Sequence, residues 1–250
     1  MIDTHCHLDH CDPPDGELVE RAREAGLTRL ATVGTNPASV ERALDAARTH
    51  DDVFAIVGLH PHNTEGFDRA DLDQIERAAA DPKAIAIGET GLDYYRDYAP
   101  RTDQRRAFEA QLGLAARLSL PVAIHTRAAE GDTFAILREH AGDLPAVILH
   151  CFSAPGHLDE AVERGYFCSF AGNVTYPKAT DLQRAATEVP AELILVETDS
   201  PYLSPQPLRG NRNEPANVVH TAHHVAGLRG VAYEELERTV DENAARVLGW

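Results

Sequence analysis

The chain begins with two histidines separated by one residue, a spacing that can supply two ligands to one metal ion. His5 and His7 flank Cys6 at the end of an apolar-to-polar run. In a β-strand, side chains two positions apart point to the same face, so both imidazoles would converge on one point and the thiol of Cys6 would point away. The pair alone is also consistent with chance, so a metal site needs further ligands from elsewhere in the chain.

The elements that must position these ligands recur regularly. Short apolar runs, several of them continuous, are typical of strands buried on both faces of a parallel sheet. Helical patterns fill the gaps between them, which predicts an α/β fold. Eight such units in 250 residues predict a TIM (β/α)8 barrel, a single domain over residues 1–250. The strands are predicted at Met1–His7, Thr28–Gly34, Val53–His60, Ala84–Glu89, Pro121–His125, Ala146–His150, Tyr166–Phe170 and Leu193–Asp199.

Composition limits the partners and the compartment. The formal net charge of −17 does not favour a tight, non-specific nucleic-acid binder. The four cysteines form no Cys-X-X-Cys pair, and no basic segment followed by a long apolar stretch opens the chain. We therefore expect a cytoplasmic protein with reduced thiols. No run of about 18 apolar residues is present, so no membrane association is expected.

Six of the eight predicted strands end in a histidine or a carboxylate. Because the carboxyl ends of barrel strands face one rim, these side chains should meet there. A lone histidine is more often a surface or core residue than a ligand, but this recurrence predicts a metal site. The residues are His5 with His7, His60 followed by His62, Glu89, His125, His150 and Asp199.

The ligand types constrain the metal. Imidazole nitrogens and carboxylate oxygens without thiolates suit Zn, Mn, Fe or Co, and suit Mg less well. Four histidines and two carboxylates exceed what one ion with an open position needs. We therefore predict two divalent metal ions, with a bridging carboxylate between ions about 3.5–4 Å apart. Glu89 is the expected bridge because strand four lies between the two ligand groups.

The chain resembles the TatD-type metal-dependent deoxyribonucleases over essentially its whole length. The resemblance implies a TIM barrel in which one ion is held by His5, His7, Glu89 and Asp199, and the second by Glu89, His125 and His150. The matching segments are Met1–Asp9, Gly58–His62, Ile87–Tyr95, Pro121–Arg127, His150–Ser153 and Val196–Leu203.

One loop departs from the family pattern. Residues Pro207–Pro215 match a family loop that usually reads Pro-His-Arg-Gly-Lys-Arg-Asn-Glu-Pro. Here Leu208 and Asn211 replace the usual histidine and lysine, which removes one positive charge from the mouth of the site. We expect this change to weaken the hold on a polynucleotide.

The predicted activity is hydrolysis of DNA phosphodiester bonds, as an exonuclease that attacks 3′-ends of single-stranded or short substrates. Asp199 would act as general base and Glu89 as the bridging catalytic carboxylate. His60 and His62 would bind substrate or ligate weakly. Arg127 would pair with a phosphate, or form a salt bridge to a nearby carboxylate, Glu130 or Asp132. The acidic net charge predicts modest, salt-sensitive affinity.

Other side chains near these positions have secondary predictions. Glu197 shares the strand face of Asp199 and would orient a ligand histidine. Tyr94 and Tyr95 would stack on a base or pack in the interior. Four arginines would form a local basic rim or be merely solvated, namely Arg96, Arg101, Arg209 and Arg212.

Two other functions stay open on the sequence. One is an amidohydrolase-type esterase or phosphatase for a small molecule, although relatives of that kind bridge their metals with a modified lysine where Glu89 stands. The other is a non-catalytic nucleic-acid-binding or scaffold protein, which would not need a complete ligand set. We expect a monomer, with an oligomer not excluded by the sequence.

Overall fold

Eight parallel strands form one sheet in chain order in the computed structural model, which describes all 250 residues. The predicted TIM barrel is confirmed. The strands are β1 Ile2–Cys6, β2 Arg29–Gly34, β3 Val53–Val57, β4 Ala84–Asp93, β5 Val122–Arg127, β6 Val147–Leu149, β7 Phe167–Phe170 and β8 Ile194–Val196.

Helices cover the outside of the sheet between successive strands. Each presents an apolar face to the strands, as in α4, where Phe108, Leu112 and Ala115 are fully buried. No helix is both long and apolar enough to cross a membrane. The helices are α1 Asp15–Glu24, α2 Pro37–Thr49, α3 Arg69–Ala78, α4 Arg101–Leu118, α5 Glu130–His140, α6 Leu158–Glu163, α7 Thr180–Glu188, α8 Val218–Arg229 and α9 Tyr233–Leu248.

The seam between β1 and β8 is closed mainly by side chains. A single parallel bridge joins Cys6 to Ser200. Alongside it, the buried carboxylate of Asp3 accepts hydrogen bonds from the backbone N–H of Thr198 at 2.9 Å and from its hydroxyl at 2.5 Å. The hydroxyl of Thr4 donates to the carbonyl of Val196 at 2.9 Å. Burial raises the pKa of Asp3 to about 8, despite these hydrogen bonds.

Several strand ends differ from the sequence predictions. Strand β4 continues four residues past Glu89, because its pairing with β5 persists as far as Asp93 and Arg127. Glu89 therefore lies within a strand. Strand β8 ends at Val196 rather than at Asp199. Asp199 has a φ of +53°, a left-handed conformation that cannot continue a strand.

Two buried glutamines of α4 fasten the ends of β3 and β4. The amide of Gln111 accepts from the N–H of Leu59 at 2.8 Å and donates to the carbonyl of Leu59 at 3.0 Å and the hydroxyl of Thr90 at 2.7 Å. Two turns earlier, Gln104 binds both backbone groups of Asp93. These bonds satisfy buried groups that no strand partner reaches, and they hold the strand ends next to the rim.

We expect the Gln111→Leu variant to be markedly less stable. The side chain keeps its approximate volume, but the buried N–H and C=O of Leu59 lose their partner, which costs about 2–4 kcal/mol in free energy of unfolding. Urea unfolding followed by circular dichroism measures this loss. The same substitution at the exposed Gln74 of α3 is the matched control and should change stability by no more than about 0.5 kcal/mol. Equal stability of the two variants would contradict the role of Gln111.

Candidate metal centre

The structure gathers all six predicted metal ligands at the carboxyl end of the barrel, around the carboxylate of Glu89. That carboxylate is 3% exposed. The other five ligands lie in or just after four different strands, β1, β5, β6 and β8, so the closed barrel is what brings them to Glu89 in β4. The six side chains are His5, His7, Glu89, His125, His150 and Asp199.

The two oxygens of Glu89 face two different groups of imidazoles. Oε2 lies 3.4 Å from Nε2 of His5 and 3.7 Å from Nε2 of His7. Oε1 lies 2.6 Å from Nδ1 of His125 and 3.4 Å from Nε2 of His150. One oxygen toward each ligand group is the arrangement that a bridging carboxylate would need, and the bridge itself stays a prediction.

Three overlapping groups of three side chains lie at this centre, and within each group the donor atoms are no more than 4.8 Å apart. One is His5, His7 and Asp199; the others are His5, Glu89 and His150, and His60, Glu89 and His125. The resemblance assigns His150 to the same ion as His125, and this assignment stays a prediction. The ring of His150 stacks on that of His5, with centroids 3.5 Å apart, and its centroid is 6.4 Å from that of His125. His150 therefore lies between the two groups.

The chemistry of these donors fits divalent metal ions. Nε2 of His5 and Nε2 of His7 lie 3.3 Å apart, and Nε2 of His7 lies 3.5 Å from Oδ1 of Asp199. Nδ1 of His7 is 3.2 Å from the carbonyl of Val33. Because a carbonyl only accepts, the proton of a neutral His7 ring is held on Nδ1 and Nε2 is left as the donor to a metal.

His60 differs from the other histidines in its tautomer. Its Nδ1 accepts a hydrogen bond from the backbone N–H of His62 at 3.1 Å, so the proton of the neutral ring is on Nε2. That nitrogen points into the centre, 3.6 Å from Oε1 of Glu89. Burial lowers the pKa of His60 well below its ordinary value and keeps the ring neutral. The geometry favours hydrogen-bond donation by His60 over metal ligation.

Buried carboxylates and imidazoles shift one another's pKa values strongly. Burial opposes protonation of His150, yet the charges of Glu197 and Glu89 raise the pKa of His150 to about 10. The pKa of His125 is raised by Asp93 and Glu89 against the effect of burial. Burial raises the pKa of Glu89, but His150 and other imidazoles outweigh it and hold that pKa well below its usual range.

Two carboxylates position the ligand histidines. Glu197 Oε1 lies 2.7 Å from Nδ1 of His150, an ion-pair distance that agrees with the predicted orienting role. Asp93, which the sequence analysis did not single out, lies 2.8 Å from Nε2 of His62 and 3.2 Å from Nε2 of His125 through Oδ2. Its signal in the sequence was its spacing of four from Glu89, which puts both carboxylates on one face of a strand.

Comparison with known proteins now decides the family. The profile of the TatD related DNases matches residues 2–249. The chain belongs to this family. The uncharacterized metal-dependent hydrolase YabD of Bacillus subtilis is 35% identical over 250 residues, which are 99% of this chain and 98% of the relative. The 3′-5′ ssDNA/RNA exonuclease TatD of Dickeya dadantii is 37% identical over 238 residues, 92% and 90% of the two chains.

A solved structure supports the same assignment. The TatD homologue YJJV of Escherichia coli K12 superposes with a TM-score of 0.92 at 29% identity, covering 100% of this chain and 98% of the homologue. The predicted resemblance is thereby confirmed, and with it the prediction of a metal-dependent hydrolase. The number and identity of the metal ions stay predictions for this TatD family member.

The arginines of the predicted basic rim fall into two groups. Arg101 and Arg212 pair with Asp97 and Asp12, at 2.9 Å and 3.1 Å. Arg96 and Arg209 form no salt bridge and lie instead over tyrosine rings. The basic rim therefore consists of only part of the predicted set.

Arg127 also lacks a carboxylate partner. Its guanidinium lies 4.1 Å from the ring centroid of Tyr95, and the predicted alternative of a salt bridge to Glu130 or Asp132 is wrong. Asp132 instead accepts a hydrogen bond from the hydroxyl of Tyr94 at 2.8 Å. The exposed guanidinium of Arg127 stays free for an anion.

We expect Glu197→Gln to weaken metal binding. The amide retains the shape of the side chain and can still accept from the N–H of Cys151, but it loses the charge that holds Nδ1 of His150. Loss of such a partner lowers metal affinity by about 10–100-fold. Calorimetric titration of chelator-treated protein with Zn²⁺ measures the change, with Glu163→Gln on the exposed face of α6 as the matched control. Unchanged affinity would contradict this role.

We also expect metal affinity to rise with pH between 6 and 8. The carboxylates that raise the pKa values of His125 and His150 favour imidazolium, and an imidazolium must release its proton before it can bind a metal. Each drop in pH below the raised pKa therefore weakens binding. Zn²⁺ titrations at pH 6, 7 and 8, in buffers of different ionisation enthalpy, count the released protons. Affinity independent of pH would show that these rings are already neutral.

Proposed function

We propose that this TatD family member hydrolyses phosphodiester bonds of single-stranded DNA from the 3′-end, with two divalent metal ions. The observation that carries the proposal is the position of Glu89, whose two oxygens face separate ligand groups. The name of the Dickeya dadantii relative, a 3′-5′ ssDNA/RNA exonuclease, supports the substrate and the polarity.

Each half of the ligand set would hold one ion. His5, His7, Asp199 and Oε2 of Glu89 would hold the first, and Oε1 of Glu89, His125 and His150 the second. When bound, such ions make water a nucleophile near neutral pH and offset the negative charge that develops on the phosphoryl oxygens. Zn, Mn, Fe and Co suit this mixture of nitrogen and oxygen donors.

The remaining chemistry falls to side chains at the rim. Asp199 has its carboxylate 3.5 Å from Nε2 of His7 and would take the proton from the attacking water. His60 would donate its Nε2 proton to a non-bridging phosphoryl oxygen. His62 would contact substrate through Nδ1, because its Nε2 is directed to Asp93. Arg127, exposed and without a carboxylate partner, would pair with a phosphate.

The acidic surface limits how much of a polynucleotide the protein would hold. A formal net charge of −17 repels a phosphate backbone beyond the immediate site. Bound cations and a few free arginines act only over a short range. A chain end or a short single strand therefore suits this surface better than a long duplex.

The test uses metal-reconstituted protein on 3′-labelled and 5′-labelled single-stranded oligonucleotides. We expect early release of the 3′ label and stepwise shortening of the 5′-labelled strand. Glu89→Gln should lower the rate at least about 100-fold, or roughly 2.7 kcal/mol, because the bridge is lost. Glu163→Gln is again the control and should retain full rate. Preferential cleavage inside duplexes, or full activity of Glu89→Gln, would refute the proposal.

A further inference from the structure

Two exposed tyrosines stand beside the metal centre on the loop between β4 and α4, residues 94–100. Tyr95 is 63% exposed and Tyr98 is 62% exposed, more than any other large hydrophobic side chain in the molecule. Tyr94, in contrast, bonds Asp132 and packs under the guanidinium of Arg101 at 4.1 Å. The loop thus places one tyrosine in the packed structure and presents two to solvent.

The loop is attached to the same carboxylate that positions the ligand histidines. Oδ1 of Asp93 accepts the backbone N–H groups of Tyr95 at 2.9 Å and Arg96 at 2.8 Å, while Oδ2 faces His62 and His125. The ring of Tyr98 meets the ring of His62 edge-on, with centroids 4.8 Å apart. Both exposed rings therefore have a defined position relative to the centre.

Two unpaired arginines accompany the rings. The guanidinium of Arg127 lies 4.1 Å from the centroid of Tyr95, and that of Arg96 lies 5.7 Å from Tyr95 and 6.0 Å from Tyr98. Neither arginine forms a salt bridge, although the chain has 40 acidic and 23 basic side chains and many other arginines are paired. In such a protein, positive charge left free next to exposed rings favours an anionic, aromatic ligand.

We propose that Tyr95, Tyr98, Arg96 and Arg127 form a binding platform for the nucleotides next to the scissile phosphate. The bases of a single strand stack on the two tyrosine rings, and the two guanidinium groups contact the adjoining phosphates. This inference rests on the proposed nuclease function and names how that site recognises its substrate. A protein partner is disfavoured because the rings are flanked by charged groups rather than by an apolar patch.

The platform also explains a preference for single strands. Base stacking on an aromatic side chain requires an unstacked base, and it tolerates any sequence because every base has a π-face. In a duplex the base faces are covered by neighbouring base pairs. The geometry therefore selects unpaired ends without any contact to base edges.

The experiment measures equilibrium binding to a strand with bases and a strand without them. Metal-loaded protein is titrated into a fluorescein-labelled, phosphorothioate-linked thymidine hexamer, which resists cleavage, and into an abasic hexamer with the same backbone. Anisotropy reports the Kd. We expect the wild-type chain to bind the thymidine hexamer about tenfold or more tightly than the abasic one. In the Tyr95→Leu/Tyr98→Leu variant, the affinity for the thymidine hexamer should fall to that for the abasic hexamer, and the affinity for the abasic hexamer should stay as in the wild-type chain.

The controls separate stacking from loss of structure. Tyr95→Phe/Tyr98→Phe keeps the rings and should restore the preference for the strand with bases. Tyr233→Leu, at the start of α9, removes a tyrosine that stacks on His223 and not on the proposed platform, and should leave the preference unchanged.

The outcomes also separate this inference from the proposed function. Equal wild-type affinity for the two hexamers, or equal weakening of both by the leucine variant, would overturn the platform even if the labelled oligonucleotides are hydrolysed. Base-dependent binding without hydrolysis would support the platform and count against the nuclease.

Discussion

The buried carboxylate of Glu89 is the group on which the site depends. An ionised carboxylate removed from water costs several kcal/mol unless opposite charges and hydrogen bonds surround it. Here imidazoles from other strands meet both of its oxygens, from His5 and His7 on one side to His125 and His150 on the other. Those strands are far apart in the chain and meet only in a closed barrel. The fold and the ligand set therefore stabilise the same charge.

Strand β4 and the segment after β8 each supply a predicted metal ligand and a carboxylate that orients a histidine. The pairs are Glu89 with Asp93, and Asp199 with Glu197, with the ligand named first. Glu89 and Asp93 are four residues apart in β4, an even spacing that directs both side chains to one face of that strand. Glu197 and Asp199 follow the end of β8, in the segment that leads into the rim. The orienting carboxylates fix which ring nitrogens of His125 and His150 face the centre. Metal affinity and the release of protons on metal binding both depend on that orientation.

Positive charge at the rim is confined to a few arginines, although the protein as a whole is acidic. Two of the four predicted rim arginines, Arg101 and Arg212, are paired with carboxylates. Arg96 and Arg127 form no salt bridge and lie over aromatic rings instead of carboxylates. The carboxylate of Asp93 accepts the backbone N–H of Arg96 and so helps to position this part of the loop. The proposed platform is therefore a short basic and aromatic surface beside the candidate metal centre, of a size for a few nucleotides.

The sequence by itself determined the barrel and the ligand types, because alternating buried strands and helices have few closed solutions and the polar residues recur at one end of the strands. Tertiary structure alone decided the rest. It stacks the ring of His150 on that of His5 and leaves Nε2 of His60 as a hydrogen-bond donor. It also revealed Asp93 as the link between the ligands and the tyrosine loop. These features depend on distances between side chains from different strands and on ring tautomers set by neighbouring backbone groups. The periodicity of residues along one strand predicts neither the distances nor the tautomers.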